Sequence, residues 1–156
     1  MMTNTSMCPC QSGKLYADCC EPLHLGKEKP NNAEQLMRSR YTAYTQSNID
    51  YIVATTVPNQ QQSLDKELMT VWSKTTQWMG LEIIQHNPKF SKNHATVEFK
   101  ALFKTDNGQD VHHELSLFVN IDDRWFFVDP NVRVSKKQPC ICGSGKKFKQ
   151  CCGVLM

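Results

Sequence analysis

All eight cysteines of this 156-residue chain fall into two short arrays, one near each end. Both arrays have the spacing C-x-C-x8-C-C with glycine in the connecting loop, and their members are Cys8, Cys10, Cys19, Cys20 and Cys140, Cys142, Cys151, Cys152. Four thiols within thirteen residues can surround one tetrahedral ion at sulfur–metal distances of about 2.3 Å. An array this short has little hydrophobic core of its own, so a bound ion would supply most of its folding free energy.

The expected compartment decides how these cysteines are interpreted. Nothing near Met1 resembles a signal peptide, and no run of eighteen apolar residues predicts a membrane span, so we expect a cytoplasmic protein. Because the cytosol keeps thiols reduced, Zn²⁺ at both arrays is favoured over structural disulfides. Two alternatives stay open. One is thiol redox chemistry, although neither array contains the C-x-x-C of thioredoxin-like proteins, and the other is an iron–sulfur cluster, for which the familiar spacings differ.

Charge is distributed unevenly along the chain. The formal net charge is +3, but five lysines and no acid follow position 135, whereas the middle is slightly acidic. Thiolate ligands around two zinc ions would make the whole protein slightly negative, which argues against DNA binding by a general polycation. We predict Lys146, Lys147 and Lys149 as a partner-binding surface. Their alternative role is to neutralise the thiolate centre beside them.

The middle of the chain reads as helices followed by strands. Asn31 or Asn32 is expected to cap a first helix with Glu34 in its first turn, a second helix is expected around 50–54, and a third over 64–78, stopped by Gly80. The period then changes to two, which predicts strands over about 81–86, 95–103, 111–121 and 124–128. Their turns are expected at 91–93, 106–108 and 122–123. The pattern predicts an α+β fold in which N-terminal helices pack on a curved four-stranded antiparallel sheet, forming a half-open cone.

The sheet carries the candidates for chemistry inside the cone. Alternation places His112, Glu114 and Ser116 on one face, and Asp129 follows the last strand. Glu114, His112 and Asp129 are therefore weak catalytic candidates. The favoured alternative for Glu114 is an ion pair with Arg38 or Arg40.

The predicted helices and strands contain four large aromatic residues but no established catalytic motif. The aromatic residues are predicted to be core rather than the lining of a ligand pocket; they are Tyr44, Trp72, Trp78 and Trp125. No nucleophile elbow, phosphate loop or dinucleotide fingerprint occurs in the chain.

The two arrays resemble the SEC-C motif, the zinc knuckle at the C-terminus of the SecA translocation ATPase. The C-terminal copy, with Gly143-Ser144-Gly145-Lys146-Lys147-Phe148, matches it over its full length. The resemblance implies zinc ligation by all eight cysteines, although the last ligand of the SecA knuckle is typically histidine and here it is Cys152. The N-terminal copy departs further, and its differences are Gln11, Leu15 and Glu21.

The middle resembles the uncharacterised YchJ family. The matching segments are Leu36-Met37-Arg38-Ser39-Arg40-Tyr41-Thr42-Ala43-Tyr44, Trp78, Glu114-Leu115-Ser116-Leu117-Phe118 and Arg124-Trp125-Phe126. This resemblance implies a cone like that of nuclear transport factor 2 or cystatin and brings no established activity. The expected organisation is a knuckle over 1–24, a linker over 25–32, the α+β domain over 33–135 and a second knuckle over 136–156.

These observations favour a non-enzymatic, zinc-binding adaptor that contacts a partner through its knuckles. By resemblance, the partner is a secretion chaperone such as SecB, or the ribosome. One alternative is a small-molecule binder or acid–base enzyme that uses the central cone. A further alternative is a redox sensor in which oxidation of the thiols releases zinc.

Overall fold

The computed structural model describes residues 6–91, 93–132, 134–142 and 144–155, with only the backbone described at 89–91 and 155. Lys92 of the predicted turn and Gly143 of the C-terminal loop lie outside the described residues, as do Met1 and Met156. Within the described part, single-turn 3-10 helices cover Tyr16–Asp18 and Phe148–Gln150. The remaining elements are α1 Glu21–His24, α2 Ala33–Thr45, α3 Ile49–Ala54, α4 Pro58–Gln61, α5 Lys66–Thr75, α6 Cys152–Leu155, β1 Gln77–Ser91, β2 His94–Thr105, β3 Gly108–Ile121 and β4 Arg124–Val128.

Helix α2 begins after Asn32 and packs on the sheet, as predicted. The Asn32 side chain accepts a hydrogen bond from the Gln35 backbone N–H at 2.8 Å and so satisfies one of the free donors at the helix start. Leu36, Met37 and Tyr41 are buried against the sheet. No helix in the described ranges is both long and apolar enough to cross a membrane.

The predicted third helix is wrong at its C-terminal end. Helix α5 begins after Asp65, whose side chain accepts from the Leu68 N–H, and it ends at Thr75. Trp78 and Gly80 lie in β1. Trp78 is therefore not helical, and Gly80 does not end a helix. The β-branched Thr75 and Thr76 precede the strand, and pairing with β2 outweighs the helical spacing of the apolar residues.

The four strands form an antiparallel meander in the order β1-β2-β3-β4, which confirms the predicted sheet. Thr105 pairs with Gly108 across a two-residue loop, and the Asp122-Asp123 turn has φ angles of 53° and 66°. Both central residues of a type I′ hairpin need positive φ, which aspartate tolerates better than most residues. On the far edge, β4 is covered by the segment between α3 and α4, where Val57 N–H donates to the Phe127 carbonyl at 2.8 Å.

The sheet contributes buried residues from both of its faces. The inner face, defined as the one that packs against α2, contributes Ala95, Val97, Phe99 and Phe118 to a core cluster that also contains cysteines of the N-terminal array. The outer face contributes Leu117, Val119 and Val128 to a second cluster with cysteines of the C-terminal array. The described parts of both arrays are therefore built into the hydrophobic interior.

Candidate metal centres and central cavity

The N-terminal array brings its four sulfurs together. The ligand atoms of Cys8, Cys10, Cys19 and Cys20 all lie within 4.8 Å of one another, with Cys10–Cys19 at 3.6 Å and Cys19–Cys20 at 3.9 Å. A tetrahedron with metal–sulfur bonds of 2.3 Å has sulfur–sulfur edges of about 3.8 Å. The four side chains therefore fit one tetrahedral ion.

Local backbone geometry creates this arrangement. Cys8 N–H donates to the Lys14 carbonyl at 2.9 Å, which closes a small loop, and Gly13 within that loop has φ of 87°. The Ser12 hydroxyl lies 3.2 Å from the Cys19 sulfur. The loop thus places polar groups beside the sulfurs. Hydrogen bonds from such groups orient and stabilise the ligands of a metal ion.

Polar contacts fix the N-terminal array to the body. Arg38 Nη1 donates to the Cys10 carbonyl at 2.7 Å, and the Thr42 hydroxyl lies 3.6 Å from the Cys8 sulfur. Gln11, where this copy departs from the SEC-C pattern, has φ of 61° and accepts a 2.8 Å hydrogen bond from the Leu81 N–H at the edge strand β1. Gln11 therefore attaches the N-terminal array to the edge of the sheet.

The C-terminal array repeats the same closing backbone hydrogen bond but assembles a different group. Cys140 N–H donates to the Lys146 carbonyl at 2.8 Å, Cys142 and Cys151 sulfurs lie 3.5 Å apart, and the Ser144 hydroxyl lies 3.3 Å from Cys151. The four ligand atoms that lie within 4.8 Å of one another belong to His94, Cys142, Cys151 and Cys152. Cys140 is buried beside this group, but its sulfur is not among the four ligand atoms. The sequence analysis did not predict His94. This residue lies in β2, far from the C-terminal array in the sequence, so it is not part of the cysteine spacing pattern.

Burial makes these thiols difficult to ionise without a cation. It raises the pKa of Cys19 to about 11 and also raises the pKa of Cys152. Conversely, hydrogen bonds from Cys20 and Cys8 lower the pKa of Cys10. A divalent ion supplies the positive charge that lets several neighbouring thiolates exist together, so both groups could hold a metal ion.

The lysines of the C-terminal segment remain at the surface. Lys146, Lys147 and Lys149 are exposed, and none of them forms an ion pair within the described ranges. Their role in binding a partner stays a prediction.

A cavity of about 190 Å³ lies between α2 and the inner face of the sheet. Six of its fifteen lining residues are phenylalanine, tyrosine or tryptophan, and the structure brings all three catalytic candidates to its wall: Glu114, His112 and Asp129. The prediction that Tyr44, Trp72 and Trp78 are core holds only in part. Trp78 packs against the core cluster and also lines the cavity, whereas Tyr44 is half-buried in the cavity wall and Trp72 is 44% exposed. Trp125 packs against the core cluster and borders a separate depression.

The predicted ion pair of Glu114 with arginine is also wrong. Glu114 accepts from the Ser116 hydroxyl and lies 3.3 Å from His112 Nε2. Arg38 pairs with Glu34 at 3.2 Å. No ion pair in the described part of the chain joins Glu114 to an arginine.

Arg40 lies in the cavity wall without an ion-pair partner in the described ranges. Its Nη1 donates to the Ile52 carbonyl at 2.9 Å and to the Thr55 hydroxyl at 2.8 Å, and its guanidinium carbon lies 4.2 Å from the centre of the Phe127 ring. Burial lowers the pKa of Arg40, but its charge is retained because guanidinium loses its proton only far above neutral pH.

One polar group in the wall lacks a hydrogen-bond partner in the part of the chain that the structure describes. Trp78 Nε1 is buried and has no hydrogen-bond partner among the described residues. Such orphaned donors are rare in native interiors and call for an explanation. The Trp78 ring packs edge-on against Tyr41 and Trp72, with ring centres 5.8 and 5.2 Å apart.

Comparison with known proteins identifies both parts of the chain. Residues 32–130 match the family model for the middle, nuclear-transport-factor-2-like domain of YchJ. Residues 5–22 and 137–153 match the SEC-C motif. Similar sequences include a UPF0225 protein of Actinobacillus succinogenes, 57% identical over 97% of this chain and 99% of the relative. Another is a UPF0225 protein of Geobacter sulfurreducens, 41% identical over 96% of this chain and 99% of the relative.

Solved structures show the same architecture. A SEC-C motif-containing protein from Psychrobacter arcticus matches with a TM-score of 0.91 at 46% identity and covers 98% of both chains. A SEC-C motif-containing protein from Rhodopseudomonas palustris matches with a TM-score of 0.72 at 36% identity, covering 78% of this chain and 94% of its own. The chain thus belongs to the family of UPF0225 proteins, with a YchJ-type middle domain between two SEC-C motifs.

Proposed function

We infer that this protein binds two zinc ions, one at each end, and holds a small aromatic molecule in the cone between the helices and the sheet. The observation that carries the second part is Glu114, a carboxylate at the cavity wall with no arginine partner in the described ranges. If the cone served only as hydrophobic core, we would expect side chains to fill the cavity and an arginine to pair with Glu114. The two zinc centres hold the ends of the chain to opposite faces of the sheet.

The cavity suggests the size of its ligand. Its volume of about 190 Å³ is slightly larger than the roughly 150 Å³ engineered cavity that accepts benzene. A single six-membered ring with one small substituent therefore fits. Tyr44 and Trp72, with ring centres 5.3 Å apart, offer ring faces and edges for stacking.

The polar groups suggest the chemistry of the substituent. Glu114 accepts hydrogen bonds, and Asp129 provides a second carboxylate in the same wall. A ligand N–H or O–H would add a donor to Glu114 besides the Ser116 hydroxyl. The favoured ligand class is a neutral aromatic or heteroaromatic ring with a hydrogen-bond donor, because Arg40 in the same wall offsets the charge of one of the two carboxylates and leaves them mainly as hydrogen-bond acceptors.

The test uses benzamide and methyl benzoate, which share a ring and a carbonyl and differ in the donor. The protein contains three tryptophans, of which Trp72 and Trp78 line the cavity and Trp125 does not. Their indole ¹H–¹⁵N signals therefore provide two reporters and an internal control. A ligand of nine heavy atoms is expected to bind with a Kd on the order of 1 mM.

We expect benzamide to shift the signals of Trp72 and Trp78 and to leave that of Trp125 in place. Methyl benzoate should bind at least about tenfold more weakly, and Glu114→Gln should remove most of this difference, since a hydrogen bond to a charged group contributes about 1.5–3 kcal/mol. Equal binding of both compounds would contradict the role of Glu114. No shift of either cavity tryptophan by either compound would contradict the binding site.

A second candidate function is docking of an acidic partner surface through the C-terminal lysines. It is favoured by one observation: the described residues from 136 onward expose five lysines and contain no acid. Replacing Lys146, Lys147 and Lys149 by glutamine leaves the buried cysteines intact. If docking occurs, this variant loses partners that the wild type retains in a salt-sensitive pull-down. Identical captured proteins would rule it out.

A further inference from the structure

His94 lies at the start of β2 on the outer face of the sheet, where it pairs with Val119 of β3. Its side chain is 8% exposed. Its Nε2 lies 3.3 Å from the Cys152 sulfur and 4.0 Å from the Cys151 sulfur. Together with Cys142, these residues form the C-terminal group with mutual ligand distances within 4.8 Å.

These distances match the edges of a tetrahedron with three sulfurs and one nitrogen. Bonds of 2.3 Å to sulfur and 2.0–2.1 Å to nitrogen give nitrogen–sulfur edges of about 3.5 Å. The two measured His94 distances lie on either side of that value, and the Cys142–Cys151 distance of 3.5 Å fits a sulfur–sulfur edge.

We propose that His94 is a ligand of the C-terminal metal ion, so that this centre has three sulfurs and one nitrogen while the N-terminal centre has four sulfurs. The proposal rests on the zinc binding inferred above. It assigns Cys140 to a supporting position in the surrounding buried cluster, outside the four corners of the tetrahedron.

The surroundings favour the less charged centre. Three thiolates and one imidazole leave a net charge of −1 around Zn²⁺, whereas four thiolates leave −2. The C-terminal group is buried in a cluster with Ile141, Val119 and Val128, where each added unit of unpaired charge is costly, and the lysines of this segment lie in solvent, which screens their charge. At the N-terminal group, by contrast, Arg38 contacts the Cys10 carbonyl, and the Thr42 hydroxyl contacts Cys8.

Ligation by His94 would also change what the metal holds together. A site made only from the array would close a loop within the C-terminal segment. Adding a ligand from β2 ties that segment directly to the sheet, and the enclosed loop then runs from His94 to Cys152. Closing a longer loop removes more conformational freedom from the unfolded chain.

The test replaces zinc by ¹¹³Cd in the full-length, uniformly ¹⁵N-labelled protein and records ¹¹³Cd spectra and couplings to imidazole nitrogens. We expect two resonances. One shows no coupling to nitrogen, and the other shows one-bond coupling to a single histidine Nε2 and lies upfield because nitrogen replaces sulfur. Two resonances without nitrogen coupling would overturn the role of His94 and leave two-metal binding intact. Absence of the C-terminal resonance would overturn both.

Three variants refine the assignment. His94→Gln should abolish the nitrogen coupling and weaken cadmium binding at that centre by more than the roughly 100-fold upper value for loss of a supporting contact. Cys140→Ser should keep both the resonance and its coupling. His113→Gln is the control, because His113 contacts Glu98 on the exposed part of the sheet. Loss of the C-terminal resonance in Cys140→Ser with its retention in His94→Gln would contradict the proposal.

Discussion

The contact between Gln11 and β1 makes the position of Gly80 sensitive to a single methyl group. A Cβ at Gly80 would lie 2.7 Å from Gln11 Oε1 and 3.1 Å from its Cδ, closer than such atoms approach in native structures. In Gly80→Ala, the Gln11 side chain must therefore withdraw. Its withdrawal breaks the 2.8 Å hydrogen bond from Leu81 N–H.

The expected magnitude follows from two opposing effects. An orphaned donor costs about 1–3 kcal/mol. Alanine recovers about 0.4–1 kcal/mol by restricting the unfolded chain. We expect the free energy of unfolding of the zinc-loaded protein to fall by about 1–2 kcal/mol, measured by urea denaturation with circular dichroism.

A double-mutant cycle identifies the cause. Gln11→Gly removes the side chain that the added methyl group at position 80 would strike, and it also relieves the positive φ of 61° at Gln11. In that background Gly80→Ala should be neutral or slightly stabilising, which gives a coupling energy of about 1–3 kcal/mol. An equal cost of Gly80→Ala in both backgrounds would refute the argument.

Three further predictions concern the core and the metal. Phe118→Ala should lower the free energy of unfolding by about 3–5 kcal/mol, because this ring is fully buried, whereas Leu115→Ala at an exposed position should change it by less than about 0.5 kcal/mol in the same urea titration. Arg40→Lys should cost about 1–3 kcal/mol, because an ammonium cannot reproduce the planar contact with Phe127 together with the hydrogen bonds to Ile52 and Thr55; an unchanged urea midpoint would contradict this. Chelation of the metal should shorten amide-exchange lifetimes in the sheet as well as at the ends, because both arrays share core clusters with it; protection lost only at the ends would contradict this.

Local signals in the sequence were enough to predict most of the fold. Asn32 is a cap because its side chain bonds an amide three residues away, and the alternation of β2 is visible because its inner-face residues are buried while most of its outer-face residues are less so. The error at Trp78 has a physical reason. The helical spacing of Leu68, Val71 and Trp72 continues past Thr75, but these three side chains are largely exposed and contribute little burial to extend the helix.

The site was harder to predict because it depends on contacts between distant segments. Arg38 forms an ion pair with Glu34 and donates a hydrogen bond to the Cys10 carbonyl. It is therefore not available to Glu114, for which the sequence had suggested an arginine partner. His94 meets Cys152 across 58 positions. The cysteine spacing identified the arrays, whereas the packing of the arrays on the sheet determines which other side chains reach the sulfurs.

Metal content of the purified, full-length protein tests the central claim most directly. Mass spectrometry of the elements, combined with protein quantitation, should give two zinc equivalents per chain and no stoichiometric iron. Cys10→Ser with Cys19→Ser, and separately Cys142→Ser with Cys151→Ser, should each leave one equivalent. A wild-type protein with less than one equivalent of zinc, or with iron in its place, would contradict the account.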